Sequence, residues 1–426
     1  MVVAAGPGGD LVSDAAVALR SRVQRRTVAV LAAAQVIGGL GAGAALSVGA
    51  LLVRDVSGSS AWAGLATTML TLGAALLALP LATLAGRTGR RVSLTTGWLL
   101  AVVGALVTIA GAQAGSVVLT LAGLFVLGAN TATNFQSRYA ATDLAEPTQV
   151  GRSLSLVVWS TTIGAVLGPN LTTPGAAVAD RLGLPDLAGP FVFAAIGFVV
   201  AALLMAVALV PDPLVLARRL HVDAGGTEHP RRSLRDALAV LRVNLPARTG
   251  VVTVASAHAV MVSVMAMTPV HMADHHASLT VIGLTISLHI AGMFALSPVM
   301  GLLADRWGRG RTIIAGQATL LLAVLIAGTS GHSEVQITIG LVLLGLGWSA
   351  SMIAGSALVA GTVEIEERPS VQGLSDLLMN LAGAFGGLLA GVVVNLWGFG
   401  PLNVVAAFLT VPVIRMVLAG RHRPPR

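Results

Sequence analysis

Long apolar runs separated by short polar segments are the feature that most constrains how this chain can fold. A helix needs about 20 apolar residues to cross a bilayer. Twelve runs approach or exceed that length: 27–53, 61–85, 92–111, 116–140, 152–177, 190–210, 249–271, 279–303, 311–329, 335–360, 371–396 and 400–419. Only 10% of the residues are charged, against about 25% in soluble domains, so the apolar surface must face lipid. We predict an all-α integral membrane protein with twelve transmembrane helices, numbered here spans 1 to 12.

Arginine is distributed unevenly among the segments between these runs. The Arg-rich segments are the tail at 1–26, the loop after span 2, the stretch from 211 to 247, the loop after span 8 and the tail at 421–426. In the alternate segments the arginines are Arg54 and Arg181. Because positive charge is retained on the cytoplasmic side, we expect a multi-pass protein of the cytoplasmic (plasma) membrane with both tails in the cytoplasm.

The sequence divides into two related parts. Residues 211–247 are polar and rich in Arg and Pro, so they are predicted to be a cytoplasmic linker between an N-terminal half at 27–210 and a C-terminal half at 248–420. A motif recurs after span 2 and after span 8, as Gly86, Arg87, Gly89 and Arg90 and as Asp305, Arg306, Gly308 and Arg309. The repeat predicts two pseudo-symmetric six-helix halves with a solute site between them near the membrane midplane.

The second copy of this motif carries a family resemblance. The segment from Gly301 to Arg309 reads Gly-Leu-Leu-Ala-Asp-Arg-Trp-Gly-Arg and closely resembles the loop signature of the major facilitator superfamily. The resemblance covers nearly the whole chain and implies a secondary transporter that works by alternating access. In the first copy Gly86 stands where the family usually has Asp, which puts the family's usual charge–helix latch on that side in question.

Span 5 contains a second motif, built on Gly164, Gly168 and Pro169. It resembles the Gly-Pro motif of the superfamily's antiporters, which are mostly exporters, although Leu171 and Thr172 replace the glycine pair that normally follows. One interpretation is a packing kink made by Gly and Pro in a membrane helix, which we favour. The other is a proton-coupled exporter of drugs or small metabolites.

Methionine and histidine are concentrated in spans 7 and 8. Six of the 12 Met and five of the 9 His lie between residues 258 and 300. The pairs Met261/Met265 and His289/Met293 are each spaced i, i+4, so each pair shares a helix face. At 1.5 Å per residue, Met261 and His289 lie about 16 and 15 Å below the outer ends of their helices, near the midplane. His258 shares the next level with Met293.

These residues have the chemistry of a soft-metal path. Thioether and imidazole suit Cu(I), and the chain has no cysteine. A further group at the outer mouth, His271, Met272, His275 and His276, could collect the ion. The pattern also resembles the CcoA-like copper importer subgroup, with MxxxM followed by HxxxM in spans 7 and 8. That resemblance rests on some fifty residues and implies that Met261, Met265, His289 and Met293 bind copper.

Structural roles are the alternative for each of these side chains. Met fills gaps in cores, a buried His often bonds to a neighbouring helix, and the mouth histidines fit a solvated loop equally well. Copper would be the transported substrate, and no permanently bound cofactor is expected.

Other polar residues fall within the predicted membrane segments. Asp376 lies in span 11 with Asn380 beside it, and it could carry a coupling proton. The alternative, which we favour narrowly, is that Asp376 lies near water at the cytoplasmic end of its helix. Asn134 and Gln136 line one end of span 4 together with Asn130 and Arg138, and Arg138 could extend to the cytoplasm. Gln35 in span 1 could face the cavity or bond to another helix.

No motif of enzyme chemistry stands out in the sequence. It shows no phosphate loop, no Walker lysine and no supported nucleophile–base arrangement, so we predict no enzyme. The net charge of +8 follows from the positive-inside pattern and indicates no nucleic-acid partner. The prediction is a monomeric secondary transporter, importing copper through spans 7 and 8 and driven by the solute gradient or by protons. The proton-coupled exporter is the alternative, and a receptor without transport has no support in the sequence.

Overall fold

The computed structural model describes residues 7–223 and 234–421, and the regular elements in these ranges are all helices. Spans 1 to 6 are Pro7–Ser57; Ser60–Thr88; Arg90–Gln113; Val117–Leu127 with Ala129–Ala140; Val150–Leu167 with Thr172–Leu182; and Gly189–Ala208. Spans 7 to 12 are Leu245–Asp274; Leu279–Phe294 with Ser297–Arg306; Arg309–Gly328; Glu334–Thr362; Arg368–Trp397; and Phe399–Phe408 with Val411–Arg421. The predicted twelve-helix fold is therefore confirmed.

Breaks in the spans follow Gly and Pro in the sequence. Among the described residues, eleven stretches are long and apolar enough to cross a membrane. The remaining span, span 5, consists of two helices joined by a 3₁₀ turn over Gly168–Leu171. Span 4 is interrupted at Gly128, and the second pieces of spans 8 and 12 begin with Ser297-Pro298 and Val411-Pro412. Proline lacks an N–H and clashes with the preceding turn, so it starts helices more readily than it continues them.

Several predicted boundaries differ from the structure at the polar ends. Residues 7–26 of the predicted tail are helical and continue into span 1. The predicted linker contains two helices, Pro213–Asp223 and Leu234–Val243, because its apolar residues recur with helical spacing. Residues 1–6, 224–233 and 422–426 lie outside the described residues, so the structure does not bear on the linker residues Pro230, Arg231 and Arg232. We refer below to the end of the molecule that carries the Arg-rich loops as the Arg-rich end.

Each half has its own apolar core. In the first half, Trp98 stacks on Phe198 with ring centroids 5.6 Å apart, among buried Leu and Ala side chains. Trp348 and Met261 of the second half lie in a separate buried cluster, which Leu154 and Val158 of span 5 also join. Between the halves, span 2 packs against span 11 and span 5 packs against span 8.

Candidate functional site

A buried ion pair joins the two halves. Nη2 of Arg138 in span 4 lies 2.6 Å from Oδ1 of Asp376 in span 11, and the two side chains are 1% and 0% exposed. The expectations that Arg138 extends to the cytoplasm and that Asp376 lies close to water are both wrong. The pair forms because the second piece of span 4 packs against span 11, so that each charge finds its counterion across the interface.

Each member of the pair retains polar atoms without a partner. Nε and Nη1 of Arg138 and Oδ2 of Asp376 are buried and make no hydrogen bond to the described residues. An unpaired buried polar group is costly, and polar groups inside a membrane are usually functional. This position can therefore bind a polar group of a solute or exchange a proton.

Aromatic side chains surround the ion pair. The Arg138 guanidinium lies 4.9 Å from the ring centre of Phe135 and 4.7 Å from that of Tyr139, and the hydroxyl of Tyr139 lies 3.4 Å from Oγ of Ser375 across the interface. His258 in span 7 makes an edge contact with Phe135 at 6.4 Å. The indole N–H of Trp348 donates to Nδ1 of His258 at 3.1 Å.

A second ion pair lies nearer the Arg-rich end. The guanidinium of Arg90 contacts both carboxylate oxygens of Asp143, at 2.8 and 3.1 Å, and its Nη2 donates to Oε1 of Gln372 in span 11 at 2.6 Å. In the described ranges the ion pairs are these two. Arg90 and Asp143 both belong to the first half, so the contacts that these groups make between the halves are the Arg138–Asp376 pair and the hydrogen bond from Arg90 to Gln372.

The predicted Met/His path has a different arrangement in the structure. Met261 and Met293 are buried in the apolar cluster of the second half, and Met265 is half-buried against it. His289 is fully buried, and its Nδ1 contacts the carbonyl of Leu341 in span 10 at 2.8 Å. Span 7 makes little contact with the first piece of span 8, which packs mainly on span 10.

The two predicted levels therefore do not form one continuous ladder. The Trp348 indole contacts His258 and also meets Phe294 of span 8 in an edge contact at 5.7 Å. His258 and Phe294, the residue that follows Met293, thus both contact the same indole. Helix rise gives the height of a side chain along its helix, but it does not give the neighbour that the helix face meets.

Two of the predicted mouth residues, His271 and His275, lie in a cluster of rings. The His271 ring stacks on Phe399 with centroids 4.3 Å apart and lies 4.3 Å from the His275 ring. The His275 ring in turn lies 4.5 Å from His332, a residue that the sequence analysis did not single out. Met272 is buried in the apolar cluster, so it does not line a mouth. His276 is exposed and adopts a φ of 63°. Across 7–223 and 234–421, no group of three His, Cys, Asp or Glu side chains is placed to hold a metal ion.

The remaining predicted polar residues fall into two kinds. Gln136 holds span 4 to its neighbours, since its Nε2 donates to the carbonyl of Ala78 at 3.0 Å. Asn380 donates to the backbone carbonyl of Asp376 at 2.8 Å. Asn134 is half-buried. Gln35 is fully buried, and neither of its amide atoms has a hydrogen-bond partner among the described residues, so of the two alternatives the bond to another helix is not made there.

Comparison with known proteins decides the family. The sequence profile of the Major Facilitator Superfamily matches residues 31–270 and 249–426. The chain belongs to this superfamily. It is 37% identical to YddS, an uncharacterized MFS-type transporter of Bacillus subtilis, over 94% of this chain and 92% of the relative. It is 28% identical to the riboflavin transporter RfnT of Brucella anthropi, over 92% of this chain and 94% of the relative.

A solved structure has the same fold. The proton:xylose symporter XylE superimposes with a TM-score of 0.74 at 13% sequence identity, over 95% of this chain and 97% of that one. The protein is therefore a multi-pass membrane transporter of the major facilitator fold. These proteins do not indicate copper, so the resemblance to the copper importer subgroup stays a prediction.

The two superfamily loop motifs differ in how they hold the halves. In the second copy, Asp305 accepts the backbone N–H groups of Gly151 and Arg152, at 2.7 and 2.8 Å, at the start of span 5. In the first copy, a Cβ on Gly86 would lie 3.6 Å from Pro369 at the start of span 11. Gly86 has no carboxylate to accept a hydrogen bond, and Pro369 has no N–H to donate one. The contact that Asp305 makes with the start of span 5 therefore has no counterpart between Gly86 and the start of span 11.

The other motif residues shape the two loops. Gly89 and Gly308 have φ values of 98° and 97°, which a residue with a Cβ rarely adopts. Arg87 and Arg306 are exposed. Arg309 donates from Nη2 to the carbonyl of Pro147 at 3.3 Å, which adds a further contact between the halves. The matching glycine conformations agree with the pseudo-symmetry inferred from the sequence.

The Gly-Pro motif of span 5 marks a close crossing and a break. A Cβ on Gly39 in span 1 would lie 3.2 Å from Cα of Gly164, so the two helices touch through glycine. Gly168 ends the first helix of the span, and Pro169 lies in the 3₁₀ turn that follows. These contacts agree with the packing interpretation, and the exporter interpretation of the motif stays a prediction.

Sequence reasoning missed several residues at the site. Asp143, Gln372, Phe135 and Trp348 lie next to residues that it named. The pairing of Asp143 with Arg90 could be predicted from the sequence, because a buried Arg needs a counterion and Asp143 lies in the neighbouring loop, just after the end of span 4. The aromatic residues carried no comparable signal, since Phe and Trp are common in any membrane helix.

Proposed function

We propose that this protein is a secondary active transporter that carries a small organic solute by alternating access and is coupled to protons through Asp376. The ion pair between Arg138 and Asp376 carries the proposal. It is buried, it joins the two halves, and both members keep polar atoms free for a solute or a proton.

The coupling follows from the energetics of a buried pair. Protonation of Asp376 removes the charge that balances Arg138, so the contact between spans 4 and 11 weakens. The guanidinium is then free to bind a polar or anionic group of the solute through Nε and Nη1. Since breaking a buried pair by removing one charge costs about 3–5 kcal/mol, proton binding supplies a large bias toward separation of the halves at this point.

The solute class is proposed from the aromatic surroundings. Phe135, His258 and Trp348 form a linked set of rings beside Arg138, and a planar ring stacks well on such side chains. The relative RfnT is a riboflavin transporter. We therefore propose a planar heteroaromatic solute with polar substituents, and riboflavin is the first compound to test.

The test is transport in proteoliposomes. Riboflavin movement is followed by fluorescence with a proton gradient imposed in each direction, which also separates an importer from the proton-coupled exporter. Asp376→Asn is expected to abolish the stimulation by the gradient. The matched control is Asp180→Asn, which removes an exposed acid in span 5. Gradient-stimulated transport by Asp376→Asn at the rate of this control would contradict coupling through Asp376.

Copper import is a second candidate. Its support is the Nε2 atom of His289, which is buried without a hydrogen-bond partner among the described residues, together with Met261 and Met293 in the same buried cluster. Two thioethers and one imidazole are suitable ligands for Cu(I). This route would run inside the second half, separate from the Arg138–Asp376 pair.

Copper transport is tested by Cu(I) uptake into the same proteoliposomes. Met261→Ala and His289→Ala are expected to lose uptake. Met205→Ala is the control, since Met205 is a fully buried Met of the first half. Equal uptake by all three variants would remove the copper candidate and leave the organic-solute proposal intact.

We further propose that the protein acts as a monomer in the plasma membrane, with the Arg-rich end and both tails in the cytoplasm. The arginine distribution supports this orientation.

A further inference from the structure

A groove runs along the outside of the first half, between span 1 and span 5. Its volume is about 700 Å³, and it begins at the Arg-rich end and continues toward the middle of the membrane. It is separate from the Arg138–Asp376 pair, which does not line it.

The end of the groove at the Arg-rich side is basic. Arg20, Arg25 and Arg152 line it together with one acid, Glu146. In the part of the chain that the structure describes, none of these arginines forms a salt bridge. The Arg20 guanidinium donates to the carbonyls of Leu144 and Ala145. Arg25 and Arg152 are exposed, and Nη2 of Arg25 donates to Oγ of Ser21 at 3.2 Å. The two exposed guanidiniums are therefore available to an anion.

One step deeper on both helices the floor of the groove is mostly apolar, with Ser160 beside Trp159. On span 1, Ala32 lies seven residues beyond Arg25, and on span 5, Trp159 lies seven residues beyond Arg152. Seven residues correspond to a rise of about 10 Å. Trp159 is 39% exposed, and Trp favours the level where lipid headgroups meet acyl chains. The groove thus places positive charge at one depth and an apolar channel directly below it.

We infer that this groove binds an anionic phospholipid of the cytoplasmic leaflet, with the phosphate between Arg25 and Arg152 and an acyl chain along Ala32 and Trp159. Basic pockets between membrane helices on the cytoplasmic side are suited to anionic headgroups. The mixed character of the lining distinguishes this partner from a soluble phosphate, which would need only the basic end.

The position of Arg152 connects the lipid to the closed end of the transporter. Its backbone N–H donates to Asp305 of the second half at 2.8 Å, while its side chain lines the groove. A lipid phosphate held by that side chain would stabilise the start of span 5 where the latch is made. This inference concerns the lipid and does not rest on the proposed solute.

The experiment is lipid retention by the full chain. The protein is released from nanodiscs containing equal parts of phosphatidylglycerol and phosphatidylcholine, and the lipids that remain bound are counted by native mass spectrometry. The test variant is the double substitution Arg25→Gln/Arg152→Gln. The matched control is Arg22→Gln/Arg26→Gln, which removes the same charge from exposed positions of span 1 that do not line the groove.

The wild type and the control are expected to retain phosphatidylglycerol in preference to phosphatidylcholine. The test variant is expected to lose about thirtyfold in apparent affinity, since each basic side chain near the surface contributes roughly a fivefold factor. Ala32→Leu, which fills the groove without a change in charge, is also expected to lower retention. Equal losses in test and control variants, no preference in the wild type, or equal displacement by inorganic phosphate would each overturn the inference.

Discussion

Arg138 and Asp376 are opposite charges that the fold buries at the contact between the two halves. Isolated, either charge would be very costly there, and the 2.6 Å contact offsets that cost only while the halves are together at this point. Their stability is therefore tied to the conformation of the whole molecule. The aromatic rings of Phe135 and Tyr139 beside the guanidinium add cation–π attraction and keep Arg138 in place when its counterion is lost.

A double-mutant cycle tests this dependence. Asp376→Leu and Arg138→Met are each expected to lower the free energy of unfolding in detergent by about 3–5 kcal/mol, because each leaves one buried charge unpaired. The double variant is expected to cost much less than the sum, since two apolar side chains need no partner. Additive losses in the double variant would show that the two residues do not stabilise each other.

The helix ends at the Arg-rich side determine how firmly each pair of spans is held. Span 5 begins with free N–H groups that Asp305 accepts, so a carboxylate of one half caps a helix of the other. Span 11 begins with Arg368-Pro369, and Gly86 meets that proline without a polar contact. On this side the bond from Arg90 to Gln372 joins the halves instead. The two crossings are pseudo-symmetric in backbone but not in chemistry.

This asymmetry predicts unequal effects of two alanine substitutions. Asp305→Ala is expected to weaken the closed Arg-rich end by about 0.5–2 kcal/mol, the range for loss of a helix cap. Gly86→Ala is expected to have little effect, since its Cβ would meet Pro369 at 3.6 Å, an ordinary contact distance. The measurement is the alkylation rate of Ser155→Cys, a buried position in span 5 facing Gly301. A rate increase with Gly86→Ala that matches the increase with Asp305→Ala would refute the unequal latches.

At the scale of the whole molecule, the properties that depend on one helix could be predicted and those that depend on pairs of helices could not. The length of the apolar runs predicts the twelve spans, and the repeated loop motif predicts the two halves. Helix rise predicts a depth for Met261 and His289, but it does not predict that span 10 packs with Trp348 against both His258 and Phe294. The burial of Asp376 was missed for the same reason, because Arg138 reaches it from a different half, 238 residues away.

The orientation of the molecule in the membrane can be measured because the chain contains no cysteine, so a single introduced thiol reports one position. Asp274→Cys and Arg306→Cys place thiols at exposed positions near opposite ends of the second half. If arginine-rich loops are retained in the cytoplasm, a membrane-impermeant maleimide added to intact cells should label Asp274→Cys and leave Arg306→Cys unlabelled until the membrane is permeabilised. The reverse pattern would place the Arg-rich end outside. The lipid groove would then face the outer leaflet, and the direction in which Asp376 receives its proton would be inverted with it.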